Sequence, residues 1–145
     1  VPLVPTKEQP VTAAAMISKD STTAALLRFA LRLDATLSGV CGLFHVAFAD
    51  AMASLTGLTP TQVFVLGAGF VLYGVVVFRL AGLRSVRRTG RVVIAANLLG
   101  TAIAIALVLT GALPLTGPGE AVLLAMGVYT AFFALLQYLG LRRLA

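Results

Sequence analysis

The 145 residues are 59% hydrophobic and 11% charged, with a formal net charge of +6 and a mean hydropathy of +1.01. A soluble domain carries about 25% charged residues, so this chain has too much apolar surface for water and takes lipid as its solvent. One cysteine, Cys41, and one histidine, His45, exclude an intrachain disulfide, a CxxC redox pair and a bis-histidine haem within one chain, and the absence of aromatics interleaved with the basic residues argues against nucleic acid as a partner.

Residues 1–20 contain three prolines and no sustained apolar run, and read as a flexible tail ahead of a transmembrane domain at 21–145. The opening Val1 in place of Met is the order expected of a processed or trimmed start, with Met16 as an internal alternative; the basic-then-apolar order of a secretory signal is missing. Asp20 or Ser21 is placed to cap a first helix that continues to Leu55. Its membrane stretch is expected at about 33–49, bracketed by Arg32 and Asp50, which lie about 27 Å apart along a helix.

Thr59-Pro60-Thr61-Gln62 has the order of a helix start, with a threonine cap, a proline at the first position and a glutamine that returns a hydrogen bond. A second span is expected from there, at about 60–78. An arginine-rich turn from Arg79 to Arg91, containing Gly82 and Gly90, leads to a third span at about 92–113, which stops before Pro114. Gly117-Pro118-Gly119-Glu120 puts a proline and an acid into the first turn of a fourth span at about 120–141, closed by Arg142 and Arg143.

Four spans joined by short loops predict an all-α, four-transmembrane-helix bundle with up-down-up-down topology. Lys7, Lys19, Arg28 and Arg32 precede the first span. Arg79, Arg84, Arg87, Arg88 and Arg91 lie between the second and third, and Arg142 and Arg143 follow the fourth, whereas the loops at 50–60 and 114–120 carry no Lys or Arg. This split is a positive-inside signal and places both termini on the cytoplasmic side of a bacterial inner membrane, as a multi-pass protein with one orientation. The five arginines from Arg79 to Arg91 are positioned to meet anionic lipid headgroups, at about 1 kcal/mol per basic residue.

Small residues permit close helix approach in lipid. They recur at Gly39 and Gly42, at Gly67 and Gly74, at Ala96, Gly100 and Ala104, and at Ala121, Ala125, Gly127, Ala131 and Ala134. These stripes serve packing within the bundle or contact with a second protomer.

Polar groups inside the spans are the candidate site, because an ionisable residue at the bilayer centre costs about 2.5–3.5 kcal/mol on insertion scales. Asp34, Ser38, Cys41 and His45 share one face of the first helix through spacings of 4, 3 and 4. With Asn97, Gln137 and Tyr138 they predict a polar clasp in which Asp34 pairs with Arg91 or Arg142 and accepts from Asn97 or Gln137; a proton or ion relay through Asp34 is the alternative. Cys41 and His45 are also a possible pair of metal ligands, with Met52 or Met126 as thioether additions, but two ligands do not make a zinc site. A neutral His45 bonded to Tyr129 or Thr130 is the simpler expectation. Tyr73, Thr101, Tyr129 and Thr130 read as helix-to-helix hydrogen bonds.

At Arg32-Leu33-Asp34-Ala35, Ala95-Ala96-Asn97, Leu136-Gln137-Tyr138 and Gly140-Leu141-Arg142 the chain resembles small four-helix membrane proteins of GC-rich bacteria and, more loosely, is similar to DoxX-like proteins. The resemblance spans about 26–143, supports the four-helix fold and points to Asp34, Asn97 and Gln137. It implies no activity and does not extend to Cys41 and His45.

No Walker loop, zincin motif, nucleophile elbow or paired carboxylate occurs, so no cofactor is expected. The leading expectation is a non-enzymatic bundle that self-associates or serves a larger membrane complex. The alternatives are a small oligomeric transporter or channel using Asp34 and the polar face of the first helix, and a metal- or quinone-linked redox protein.

Overall fold

A computed structural model describes residues 9–144, and for residues 9–23 the backbone alone. The chain forms five helices, α1 (Gln9–Ala47), α2 (Ala49–Thr56), α3 (Pro60–Ala81), α4 (Val86–Thr110) and α5 (Gly117–Arg142), and no strand among the described residues. Among the described residues, four stretches are long and apolar enough to cross a membrane: Ala24–Ala47, Pro60–Ala81, Val86–Thr110 and Gly117–Arg142. Large apolar side chains such as Leu72, Leu109 and Val128 point outward, at 64%, 81% and 71% exposure, which is the surface of a protein solvated by hydrocarbon.

Three boundaries differ from the sequence-based expectation. Helix α1 begins at Gln9, so Asp20 and Ser21 lie inside it and not at its start. Pro10 falls in its first turn, where a missing N–H costs no hydrogen bond; the expected irregular tail can therefore hold only for residues 1–8, which lie outside the described residues, as do Lys7 and the side chain of Lys19. The first helix also stops at Ala47 instead of continuing to Leu55: Phe48 takes φ −120° and ψ 36°, and α2 follows as a separate element. Finally, the arginine-rich turn is short. Helix α3 runs to Ala81 and α4 starts at Val86, so Arg87, Arg88 and Arg91 are helical.

The expected capping box of α3 is present, and α5 starts on a threonine cap that the sequence reading did not name. Thr59 accepts from the Gln62 N–H while the Gln62 side chain accepts from the Thr59 N–H, which closes a capping box ahead of Pro60. At α5, Thr116 accepts from the Gly119 N–H and donates to the Leu55 carbonyl, and its own N–H donates to the Thr56 carbonyl at 3.0 Å. The two loops away from the arginines are thereby tied together. Gly57, at φ +83°, ends α2 against Pro114 and Thr116, in a conformation and at a distance that only glycine permits.

Packing differs between the two ends. At the arginine end, Leu27, Leu31, Ala35, Val77, Ala81, Val86 and Val93 form a closed core; Leu27 packs on both Gly90 and Gly140, and Arg28 Nη1 donates to the Ala81 carbonyl at the end of α3 at 2.6 Å. Along the α1–α3 contact, Gly42 meets Gly67, and Gly39 meets Gly74, so this glycine stripe serves backbone approach within one chain. Toward the other end the helices separate around two cavities.

Candidate functional site

Four of the five residues expected to form the polar cluster come together. Asp34 is fully buried, as is Gln137; Asn97 and Ser38 are nearly so. Asp34 Oδ2 accepts from Tyr73 Oη at 2.8 Å, Gln137 Nε2 at 2.8 Å and Asn97 Nδ2 at 3.0 Å. Asp34 Oδ1 faces the hydroxyls of Ser38 at 3.3 Å and Tyr129 at 3.2 Å, which also lie 3.2 Å from each other. The second Asn97 Nδ2 proton goes to Gln137 Oε1 at 3.3 Å. One carboxylate thus gathers donors from α1, α3, α4 and α5.

Every one of those partners is neutral, which corrects the expected pairing of Asp34 with Arg91 or Arg142. The geometry gives the reason. Asp34, Tyr73 and Asn97 each lie six residues from an arginine of the same helix, Arg28, Arg79 and Arg91, or about 9 Å along the axis. Arg28 is engaged with Ala81, and the Arg142 guanidinium lies over the Tyr138 ring, 5.9 Å from its centroid. Arg32, only two residues from Asp34, is exposed and stands over the Phe78 ring, 5.7 Å from its centroid, so it too is turned away from the clasp. Burying a carboxylate without a counter-ion costs several kcal/mol, offset here by hydrogen bonds to a charged acceptor, each contributing about 1.5–3 kcal/mol in general.

Tyr138 is not part of the cluster; it is 47% exposed and faces outward beneath Arg142. Tyr73 and Tyr129 take the place that sequence reasoning assigned to it. A signal for Tyr129 was present, since Tyr129, Phe133 and Gln137 repeat every four residues and share a helix face. Thr101 and Thr130 do link α4 to α5, oxygen to oxygen at 2.7 Å.

His45 does not bond to Tyr129 or Thr130. Its Nδ1 lies 2.8 Å from the backbone carbonyl of Cys41, one turn back, and 3.6 Å from Cys41 Sγ. A carbonyl can only accept, so Nδ1 carries a proton, and in the neutral tautomer with that proton Nε2 is the acceptor nitrogen. Among the described residues, no three His, Cys, Asp or Glu side chains group as metal ligands. Met52 and Met126 border a cavity with His45.

The first cavity, of about 420 Å³, opens where the clasp ends. It is lined by Ser38, Cys41, Tyr73, Asn97, Tyr129 and Thr130 among apolar neighbours that include Leu37, Val65, Phe70 and Met126. The second, of about 270 Å³, lies toward α2 and is bordered by His45, Thr56 and apolar side chains from α3, α4 and α5. Leu66, Phe70, Gly100, Met126 and Thr130 line both, so the two adjoin. Volumes of this size, mostly apolar with a few placed polar groups, are those of small-molecule sites. At the opposite end Arg79, Arg84, Arg87, Arg88 and Arg91 are all exposed.

No protein-family model, curated protein or solved structure matches the chain.

Proposed function

We propose that the chain is a non-enzymatic, multi-pass protein of a bacterial cytoplasmic membrane, a four-helix bundle that self-associates or supports a larger membrane complex. The observation behind this reading is the closure of the Asp34 clasp. An acidic group with five neutral partners drawn from all four spans holds helices in register; a cargo-binding acid would keep an open side for its cargo. The split of arginines between loops supports an up-down-up-down path with both termini in the cytoplasm, and the exposed Arg79–Arg91 group then faces anionic headgroups of the inner leaflet.

The test is a native pull-down of the full chain in mild detergent, with mass spectrometry of the captured proteins and lipids. Wild-type chain and Asp34→Asn are also reconstituted in liposomes. The reading expects a homo-oligomer or a defined partner complex, lower stability in the variant, and no flux dependent on Asp34. Pronounced pH-dependent flux in wild type that disappears in a folded Asp34→Asn bundle would identify a transporter and overturn it.

A further inference from the structure

The two adjoining cavities have a hydrogen-bonding character that the clasp itself imposes. The single Tyr73 hydroxyl proton is directed to Asp34 Oδ2 at 2.8 Å, the closer of its two acceptors. The hydroxyl protons of Ser38 and Tyr129 have Asp34 Oδ1 and the Asp34 carbonyl as acceptors, and both Asn97 amide protons are engaged with Asp34 and Gln137. Thr130 donates to the Gly127 carbonyl at 3.0 Å. His45, on the second cavity, has Nδ1 held 2.8 Å from the Cys41 carbonyl, so its neutral tautomer presents Nε2 as an acceptor. Apart from the weak Cys41 thiol donor, the polar wall of the cavities therefore offers acceptors. Among the described residues, no Asp, Glu, Lys or Arg lines either cavity.

We propose that these cavities bind one uncharged, lipid-soluble molecule bearing a hydroxyl group, whose O–H donates to the lone pairs left on Tyr73, Tyr129 or Thr130 while its apolar body fills the space beside Leu66 and Phe70. Without a charged residue in the wall an ion has no partner to replace its hydration. An ether or ester of the same shape brings only acceptors to a wall of acceptors and loses the hydrogen bond. A binding role of this kind goes beyond the bundle function above and does not depend on the identity of any protein partner.

The experiment uses the full chain in lipid nanodiscs, equilibrated with radiolabelled farnesol, a C15 isoprenoid alcohol, or with farnesyl methyl ether, and measures saturable binding over empty discs. Farnesol is expected to occupy one saturable site per chain, and the ether to bind about tenfold more weakly, the loss equivalent to one hydrogen bond. Gly69 lines the first cavity, and a Cβ placed there meets nothing within 4 Å, so Gly69→Leu fills the cavity without disturbing the backbone. That variant is expected to keep its helix content and melting temperature and to lose saturable farnesol binding. Equal binding of alcohol and ether, absence of a saturable site in wild type, or undiminished binding in a folded Gly69→Leu chain each overturns the proposal.

Discussion

Gln137 Nε2 lies 2.8 Å from Asp34 Oδ2, although 103 positions separate the two residues in the chain. The first and last spans are therefore joined directly through the buried carboxylate, with Asn97 and Tyr73 supplying the third and second.

Removing the carboxylate should cost more than any other side-chain truncation in the bundle. Asp34→Ala leaves the Asn97 and Gln137 amides and the Tyr73 hydroxyl buried without their main acceptor, each worth about 1–3 kcal/mol, so a loss of at least about 3 kcal/mol is expected in denaturant titrations in mixed micelles. Asp34→Asn should fall between wild type and alanine, because the Ser38 and Tyr129 hydroxyls can rotate to accept from the new amide. A variant ranking with asparagine worse than alanine would contradict the donor assignment.

The two carboxylate oxygens should respond differently to loss of a tyrosine hydroxyl. Tyr73→Phe removes a 2.8 Å bond, whereas Tyr129→Phe leaves Ser38 facing Oδ1. About 1–2 kcal/mol is expected for the first and under about 1 kcal/mol for the second. Adding Ser38→Ala to Tyr129→Phe should then cost more than the two single losses together, since only the double variant strips Oδ1 of donors. Strict additivity in that cycle would show that the two hydroxyls do not substitute for each other.

Neighbouring glycines on α3 should behave oppositely. A Cβ at Gly67 would stand 2.7 Å from the Gly42 carbonyl oxygen and 2.9 Å from the Val46 amide nitrogen. Neither is a flexible side-chain end, so Gly67→Ala is expected to destabilise by about 1–3 kcal/mol. Gly69→Ala, with open space around it, should be neutral or stabilising by up to about 1 kcal/mol through helix propensity. Thermal melts of the pair in one detergent check both signs at once.

Thr116 both caps α5 and anchors the facing loop. Thr116→Val keeps the volume and removes both bonds, for an expected loss of about 1–2 kcal/mol. Hydrogen exchange at the Gly119 and Gly57 amides should rise in step; faster exchange at Gly119 alone would mean that capping and loop docking are independent.

Much of the fold was legible in the sequence because hydrocarbon solvation leaves a coarse signal. The four apolar stretches, the Thr59 capping box and the proline-led start of α5 follow from composition and local hydrogen-bond needs, which neighbours barely alter. The ends of α1 were less so. Whether Pro10 opens a helix or lies in an irregular segment depends on the residues that follow it, and the break at Phe48 leaves no proline or glycine in the chain to announce it.

For the clasp, helical spacing identified Asp34 and Ser38 on one face, and rarity in the membrane identified Asn97 and Gln137. The partner choice was not legible. Spacing does not say that Arg28, Arg32 and Arg142 are engaged away from the carboxylate, or that two tyrosines reach it in place of Tyr138. His45 bonds within its own helix, where an expectation based on neighbouring spans looked across the bundle.

The guanidinium of Arg28 at the end of α3 has a consequence for biogenesis. The last turn of a helix leaves carbonyls unmatched, and that of α3 receives Nη1 from a segment translated more than fifty residues earlier. As α3 leaves the ribosome its terminating group is already installed, so the ribosomal order of emergence and the order in which each helix end acquires its donor coincide at this joint.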